Sequence, residues 1–201
     1  MIGNDIVDLA EAQLKSNWQR PRFLDKLFTS KEQEIIRKSE NPFVMVWRLW
    51  SMKEAAYKLY TQLHPSRFYN PKQFECDIDD SYGKVNYKTF ECCTKTKITR
   101  QYILSEARLS KAEMSSETEE IKNNSFKTQS DAVQTLLLSA ISSEFNLVKE
   151  DLKIMKSEFG IPSVYDKSQK LDLAVSLTHH GNYRAYAYLN SVSTTLELAG
   201  S

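Results

Sequence analysis

Two stretches in the N-terminal part of the chain combine carboxylates with lysines in a way that suits metal and phosphate chemistry. Asp5 lies near the end of a short apolar segment typical of a strand, whereas Glu54 and Lys58 are four residues apart and so share one face of a helix. Lys53 is one step further round that helix. Mg²⁺ is usually held by one or two carboxylates together with phosphate oxygens. Asp5 and Glu54 are therefore candidate Mg²⁺ ligands, and the two lysines are candidates to neutralise phosphate charge.

The same residues also fit a purely structural role. Ser51 and Glu54 have the spacing of a capping box, which predicts a helix start with Glu54 in its first turn. Such a helix start would favour a bound phosphate. Glu54 and Lys58 can equally form a stabilising surface pair. Asp5 and Asp8 can likewise belong to a solvated turn, so the residue types alone leave both interpretations open.

A second candidate site lies near the C-terminus, where a strand runs into Thr178, His179, His180 and Gly181. A hydroxyl, an imidazole and a closely approaching glycine backbone can together bind an anion. Adjacent histidines on a strand face opposite ways, which makes them poor co-ligands for one metal ion. A simple surface turn is the alternative interpretation.

The composition argues against several classes of protein. Hydrophobic residues make up 41% of the 201 residues, and 27 Lys and Arg nearly balance 26 Asp and Glu. A net charge of +1 gives no reason to expect nucleic-acid binding. We expect no membrane span and no signal peptide, since no apolar run is long enough and the N-terminal residues lack the required pattern. Three cysteines without paired spacing argue against disulfides or a zinc site, so we expect a cytoplasmic protein with reduced thiols.

The apolar periodicity predicts an α+β fold of two modules. Predicted helices begin at Thr29, where Glu32 completes a capping box, and span 42–62 and 131–145. Predicted strands cover 2–9, 73–79, 85–94, 98–107, 151–157, 172–178 and 183–190, with a turn at 82–83. We predict a metal-binding module over 1–108, a solvated linker over 109–124 and a second module over 125–195.

Taken together, these stretches resemble the 4′-phosphopantetheinyl transferase superfamily. Its members share a G-x-D-(I/V) segment, an F-(S/T)-x-x-E helix start, a (W/F)-x-x-K-E-(A/S)-x-x-K segment and an S-H-S-type loop. The corresponding segments here are Gly3 to Ile6, Phe28 to Glu32, Trp50 to Lys58 and Thr178 to Gly181. The resemblance covers most of the chain and is most specific in its N-terminal part.

The resemblance implies an enzyme that moves 4′-phosphopantetheine from coenzyme A to a serine of an acyl or peptidyl carrier protein and releases 3′,5′-ADP. It implies Mg²⁺ as the cofactor, with Asp5 and Glu54 matching its ligands. Glu54, or a water that it orients, matches the base for the carrier serine. Phosphoryl transfer needs mainly positioning and charge neutralisation, which agrees with these residue types.

Four further assignments follow from the resemblance. Lys58 matches the lysine that stabilises phosphate charge during the reaction, and Lys53 is expected as a supporting contact to the coenzyme. His179 matches the histidine that holds coenzyme A near its 3′-phosphate, with Thr178 beside it. The second module would then supply the coenzyme-binding loop.

Two architectures are compatible with the resemblance. The favoured one is a monomeric pseudo-dimer, in which two similar α+β modules with antiparallel sheets and packed helices occur in permuted order. A trimer of the short type, with an insertion at about 62–147, is the alternative. In the favoured architecture the site lies between Asp5 and Glu54 on one side and His179 on the other.

The sequence departs from the family pattern at three places, and the last two of them favour a second function. Val7 stands where longer members often have an additional acid, and Ile161 replaces the lysine of a common G-K-P segment. The helix predicted over 131–145, in the second module, also lacks the arginines that often contact the coenzyme in the family. The alternative is therefore a non-catalytic protein that keeps the fold and binds carriers or nucleotides.

Overall fold

The first half of the chain forms an antiparallel sheet of five strands. The computed structural model of the protein describes residues 1–68, 70–109, 114–121 and 126–190. The strands are β1 (Ile2–Asp8), β2 (Glu75–Asp79), β3 (Tyr82–Tyr87), β4 (Phe90–Ile98) and β5 (Tyr102–Arg108). They are ordered β1-β5-β4-β3-β2 across the sheet. The helices are α1 (Leu9–Lys15), α2 (Phe23–Leu27), α3 (Ser30–Lys38) and α4 (Pro42–Leu63), followed by a 3₁₀ turn at Pro71–Gln73.

The described part of the second half forms two smaller antiparallel sheets and one α-helix. Its elements are β6 (Ser115–Glu120), α5 (Phe126–Phe145), β7 (Leu152–Lys156), β8 (Pro162–Asp166), β9 (Gln169–Lys170), β10 (Leu173–His180) and β11 (Tyr183–Asn190). One sheet has the order β10-β11-β6 and the other β7-β8-β9. The predicted α+β fold with antiparallel sheets is confirmed.

The two halves share the general course of the chain, although the described part of the first has four α-helices and that of the second has one. Each half begins with a strand, continues through helix and meander, and ends with a strand that pairs back to the first: β1 with β5, and β6 with β11. Tyr102 and Tyr183, the first residues of β5 and β11, contact each other with ring centroids 5.0 Å apart. The halves meet along β1, which packs on β10 and β11.

Helix α4 positions most of the first candidate site because it packs directly on β1. Its buried face includes Leu49, Met52 and Leu59. The approach to β1 requires Gly3, since a Cβ there would overlap the carbonyl oxygen of Ala55 and come within 2.9 Å of the Leu59 nitrogen. Glycine at this position therefore sets the distance between β1 and the helix.

The start of α4 differs from one of the sequence predictions. The helix begins at Pro42 and is capped by the Asn41 side chain, so the predicted helical span of 42–62 is confirmed. The predicted helix start at Ser51 is wrong, because Ser51 is buried in the middle of the helix. Glu54 therefore lies about three turns inside α4, where no free N–H groups are available for a phosphate.

Part of the predicted linker is a strand. Residues 115–120 form β6, which pairs antiparallel with β11 at the edge of its sheet. Its polar sequence is typical of an edge strand. It is anchored by Glu117, which accepts from the Tyr186 hydroxyl at 3.0 Å, and by Glu119, which pairs with Arg184. The boundaries of the two modules stay a prediction, and residues 191–195 of the second lie outside the described ranges.

Other sequence predictions have mixed outcomes. The capping box at the start of α3 is present, and the apolar face of α5 is buried through Val133, Leu137 and Ile141. The predicted turn at 82–83 is wrong, because β3 starts there and the turn uses Asp80 with φ of 48°. Strands β8 and β9 were not predicted. Among the described helices, none has the length and apolar character that crossing a membrane requires.

Candidate functional site

The two halves of the chain meet where β1 lies alongside β10. Three N–H groups of β1 donate to side chains of β10: Asn4 to Ser176 Oγ at 3.0 Å, Ile6 to Thr178 Oγ1 at 3.2 Å, and Asp8 to His180 Nδ1 at 3.0 Å. Alternate residues of a strand face the same side, so these pairs align the two strands residue by residue. The polar residues at every second position of β10 were the signal in the sequence that could have predicted this seam.

Asp5 lies in the middle of the seam and contacts both halves. Its Oδ1 accepts from Lys58 Nζ on α4 at 3.2 Å and from the Thr178 hydroxyl on β10 at 3.2 Å. The residue is only 9% exposed. Burial raises the pKa of Asp5 because the charged form loses its hydration, and Lys58, Thr178 and His180 offset part of that rise. The carboxylate would therefore be stabilised by an additional cation.

Lys58 spans the same seam with a single ammonium group. Its Nζ lies 2.8 Å from the carbonyl oxygen of Asn4, 3.2 Å from Asp5 Oδ1 and 3.5 Å from the carbonyl oxygen of Leu177. The side chain is nevertheless 30% exposed. A positive charge is thus held at the junction of β1, α4 and β10 and remains accessible to an anionic ligand.

Glu54 lies on the face of α4 that is turned toward β1. Ser51, about one turn earlier, donates its hydroxyl to the carbonyl oxygen of Asp5 at 2.9 Å. Lys58, one turn later, contacts the Asp5 carboxylate. Residues three and four apart share a helix face, so half-buried Glu54 lies between two residues that both contact Asp5. The structure therefore brings Asp5 and Lys58 together, and the helix spacing puts Glu54 on the same face of α4 as Lys58.

Lys53 is placed elsewhere, contrary to its prediction as a coenzyme contact. Its side chain is fully buried and forms an ion pair with Glu32, with Nζ 2.7 Å from Oε1. The ammonium also donates to the carbonyl oxygens of Pro71 at 3.0 Å and Phe74 at 2.5 Å. The other Glu32 contacts are the N–H groups of Thr29 and Cys76. Lys53 therefore ties α3, α4 and the start of β2 together inside the core and does not face a ligand.

Thr178 also has a different place from the one predicted. Its hydroxyl accepts from the Ile6 N–H and donates to Asp5, and the residue is buried. The hydroxyl has one hydrogen, and Asp5 receives it. Thr178 thus orients the Asp5 carboxylate and is not positioned to donate to a coenzyme.

His179 follows Thr178 on β10 and therefore points to the opposite face of the strand. Burial lowers the pKa of His179, and the positive charges of Lys58 and Lys156 and the neighbouring His180 lower it further. The imidazole of His179 therefore lies in a positive electrostatic environment, which suits the binding of a phosphate. Lys156 was missed by the sequence analysis, since it lies in β7 with no motif around it.

A cavity of about 290 Å³ lies at the start of β10, and its lining does not include Asp5, Lys58 or His179. Its lining includes Gln62 on α4, Ile161 and Lys170 from the second half, and Val175 on β10. Gln62 is one turn beyond Lys58 and donates to the carbonyl oxygen of Val175 at 3.1 Å. The cavity thus begins about one helical turn beyond Lys58. A larger cavity of about 680 Å³ on β2, β3 and β4 includes none of these residues in its lining.

The donor set at the seam fits Mg²⁺. Both hydrogen bonds described for the Asp5 side chain go to Oδ1, which leaves Oδ2 for a cation, and Glu54 supplies a second carboxylate from the facing helix. The described residues contain no cluster of three or more His, Cys, Asp or Glu that could hold a metal alone. Two carboxylates completed by water and phosphate oxygens are the usual arrangement for Mg²⁺.

Comparisons with known proteins point to one family. Residues 1–118 match the family model described as the 4′-phosphopantetheinyl transferase superfamily. A holo-(acyl-carrier-protein) synthase from Caldanaerobacter subterraneus subsp. tengcongensis is 36% identical over 58 residues, which is 29% of this chain and 45% of that protein. The chain thus spans under half the length of this relative.

Proposed function

Because the chain belongs to the 4′-phosphopantetheinyl transferase superfamily, we propose that it transfers 4′-phosphopantetheine from coenzyme A to a serine of an acyl or peptidyl carrier protein, with release of 3′,5′-ADP. One observation carries this proposal. Asp5 Oδ1 is contacted by Lys58 from the first half and by Thr178 from the second, and His179 follows directly on the same strand. Groups from both halves of a single chain therefore meet at Asp5, and the charge of Lys58 acts on His179, which faces the other side of β10.

In this proposal Asp5 and Glu54 are the residues that would hold Mg²⁺. When bound, the ion supplies positive charge to the phosphate oxygens as the bond to the leaving group breaks. Asp5 is prepared for this role by burial and by the hydroxyl of Thr178, which fixes the orientation of its carboxylate. The cost of burying the carboxylate is offset by the cation.

Lys58 and Glu54 have complementary roles at the reacting phosphate. The serine oxygen of the carrier attacks the phosphorus next to the pantetheine, and its proton passes to Glu54 or to a water that Glu54 orients. The bond between that phosphorus and the oxygen of the departing 3′,5′-ADP breaks. Lys58 neutralises the charge that accumulates on the phosphate oxygens, since its ammonium is already held at the seam.

His179 binds the other end of the coenzyme. Its pKa is lowered in the ligand-free protein, and a bound phosphate would favour the protonated ring. The cavity at the start of β10 would receive a different part of the ligand, since His179 lies near the other end of this strand. Because β10 belongs to the same chain as Asp5, we further propose that the protein acts as a monomeric pseudo-dimer. Light scattering of the purified protein tests this point, and a stable trimer would contradict it.

A mass measurement tests the proposed reaction. The protein is incubated with coenzyme A, Mg²⁺ and an apo-carrier protein from the same genome, and the carrier is weighed by mass spectrometry. We expect the carrier to gain one phosphopantetheine group, and Glu54→Gln to abolish the gain while the protein stays folded. Glu40→Gln, at an exposed position preceding α4, is the matched control and should remain active. A fully active Glu54→Gln variant would refute the role given to Glu54.

A non-catalytic binding protein is the second candidate. The observation in its favour is Ile161, which lines the cavity at the position where the resemblance leads us to expect a lysine. Isothermal titration calorimetry separates the two candidates. Carrier binding without measurable coenzyme A binding would support the non-catalytic protein, whereas binding of both ligands supports the transferase.

A further inference from the structure

Asp8, at the end of β1, connects the first half of the chain to the turn between β10 and β11. Its N–H donates to His180 Nδ1 at 3.0 Å, and its Oδ2 accepts from the Asn182 N–H at 2.8 Å. The residue is only 2% exposed. Both its backbone and its side chain therefore contact the segment that directly follows His179.

The turn is shaped to receive this carboxylate. Gly181 has φ of 57°, a left-handed conformation that favours glycine. A Cβ at Gly181 would collide with Asp8 Oδ2 and would come within 2.6 Å of Asp8 Cβ and Cγ. The Asn182 carbonyl is held from the other side by the Ile121 N–H at 2.6 Å. The turn is thus fixed between β1 and the end of β6.

The two carboxylate oxygens of Asp8 have separate partners. Oδ1 caps α1 by accepting from the N–H groups of Ala10 at 2.9 Å and Glu11 at 3.1 Å. Oδ2 is the oxygen that binds the turn. A cap alone needs one oxygen, and serine provides it as well as aspartate does. The second oxygen is therefore the part of Asp8 that capping does not explain.

His179 lies between two anchored neighbours. Thr178 is held by the Ile6 N–H and by Asp5, and His180 is held by the Asp8 N–H. The backbone of His179 is consequently fixed on both sides by contacts with β1. The contact at Asp8 completes this arrangement at the end of the strand where the chain reverses.

We propose that Asp8 is a positioning residue, which holds the turn at residues 180–182 and thereby fixes His179 for coenzyme A. The proposal rests on the proposed function, in which His179 contacts the coenzyme. Its chemistry is a charge-assisted hydrogen bond from a backbone N–H to a buried carboxylate, which is stronger than a neutral one.

Asp8→Ser separates the two tasks of this side chain. The serine hydroxyl still caps α1, but its single oxygen on a shorter side chain cannot also reach Asn182. We expect the Asn182 amide to exchange with solvent faster, as measured by NMR hydrogen exchange, and the ring signals of His179 to shift. We also expect the Kd for coenzyme A to rise roughly tenfold, the scale of one lost hydrogen bond to a charged group, and KM for coenzyme A to change more than kcat.

Two further variants complete the test. Gly181→Ala disturbs the same contact from the other side, so the effects of Asp8→Ser and Gly181→Ala on coenzyme affinity should not add. Thr29→Ala removes the cap of α3, away from the seam, and controls for loss of a helix cap. It should lower stability while leaving the affinity for coenzyme A unchanged.

The outcomes distinguish this proposal from the proposed function. If wild-type protein binds coenzyme A and Asp8→Ser binds it equally well, the positioning role of Asp8 is overturned and the proposed function stands. If wild-type protein does not bind coenzyme A, the proposed function fails. In that case, faster exchange at Asn182 with shifted His179 signals still supports the positioning of His179 by Asp8, and unchanged spectra overturn it.

Discussion

Replacing Lys53 with methionine tests whether this lysine belongs to the core or to the coenzyme site. The ammonium is fully buried against Glu32, which is itself 1% exposed, and it donates to two backbone carbonyls as well. Methionine fills a similar volume but leaves a buried carboxylate without its partner. Removing one member of a buried ion pair typically costs about 3–5 kcal/mol of unfolding free energy. For a protein of this size we expect Tm to fall by about 6–20 °C, at roughly 2–4 °C per kcal/mol.

Urea and thermal unfolding followed by circular dichroism measure this loss. Lys31→Met is the matched control, because Lys31 forms an ion pair with Asp77 in which both side chains are more than half exposed. Exposed pairs contribute little, so the control should unfold almost as wild type does. The double variant Lys53→Met with Glu32→Gln should recover part of the lost stability, since the unpaired buried charge is then removed.

The same variants discriminate the core role from a ligand role. Well below its Tm, Lys53→Met should bind coenzyme A with nearly wild-type affinity, as measured by calorimetry. An unfolding free energy within about 1 kcal/mol of wild type, together with a large loss of coenzyme affinity, would refute the core assignment and restore the prediction made from the sequence motif.

Five further predictions concern β1, the residues that contact it and the charges near them. Lys156→Gln should raise the pKa of His179 in an NMR pH titration, because the lysine charge lowers it; an identical titration curve would show that the charge does not act there. The pKa of His179 is lower in the folded protein than in the unfolded chain, where it is about 6.5. The neutral ring therefore contributes to the free energy of unfolding above about pH 6.5, and this contribution is lost as the pH falls through the folded pKa. Mg²⁺ should raise the Tm of wild type but not of Asp5→Asn, and an equal rise in both would place the ion elsewhere. In metal-free buffer, wild type should lose stability relative to Asp5→Asn as the pH rises from about 3.9 through the raised folded pKa of Asp5. Gly3→Ala should destabilise the protein by about 1–3 kcal/mol in urea unfolding through overpacking against α4, whereas wild-type stability would show that the helix moves away freely.

Local patterns in the sequence were sufficient for several elements. The capping box at Thr29 and Glu32 depends on residues three apart, and the structure confirms it. The apolar face of α5 follows from residues of one helix and is likewise confirmed through Val133 and Leu137. The polar residues at 115–120 predict a linker, but they form the edge strand β6. An edge strand can be polar, and the strand with which β6 pairs is some 70 residues away in the sequence.

The candidate site shows the same limit at the level of single residues. Glu54 and Lys58 are predicted to share a helix face; both lie in α4, and the structure places the Lys58 ammonium beside Asp5. The equally motif-like Lys53 is directed into the core, because one position along a helix turns a side chain by about 100°. Glu32 then becomes its partner, which no spacing within either helix could reveal.

The sequence alone determined which residue types could bind a metal and phosphate, and which helices and most strands would carry them, because those properties depend on neighbours within a few positions. Tertiary structure alone decided that Lys53 binds Glu32 and that Thr178 binds Asp5. It also decided that Asp8 accepts a hydrogen bond from the turn after His179, and that β10 lies beside β1. These contacts join residues more than 20 and up to about 170 positions apart. Such pairs form only when packing of the two halves brings them within hydrogen-bond distance, so no local pattern records them.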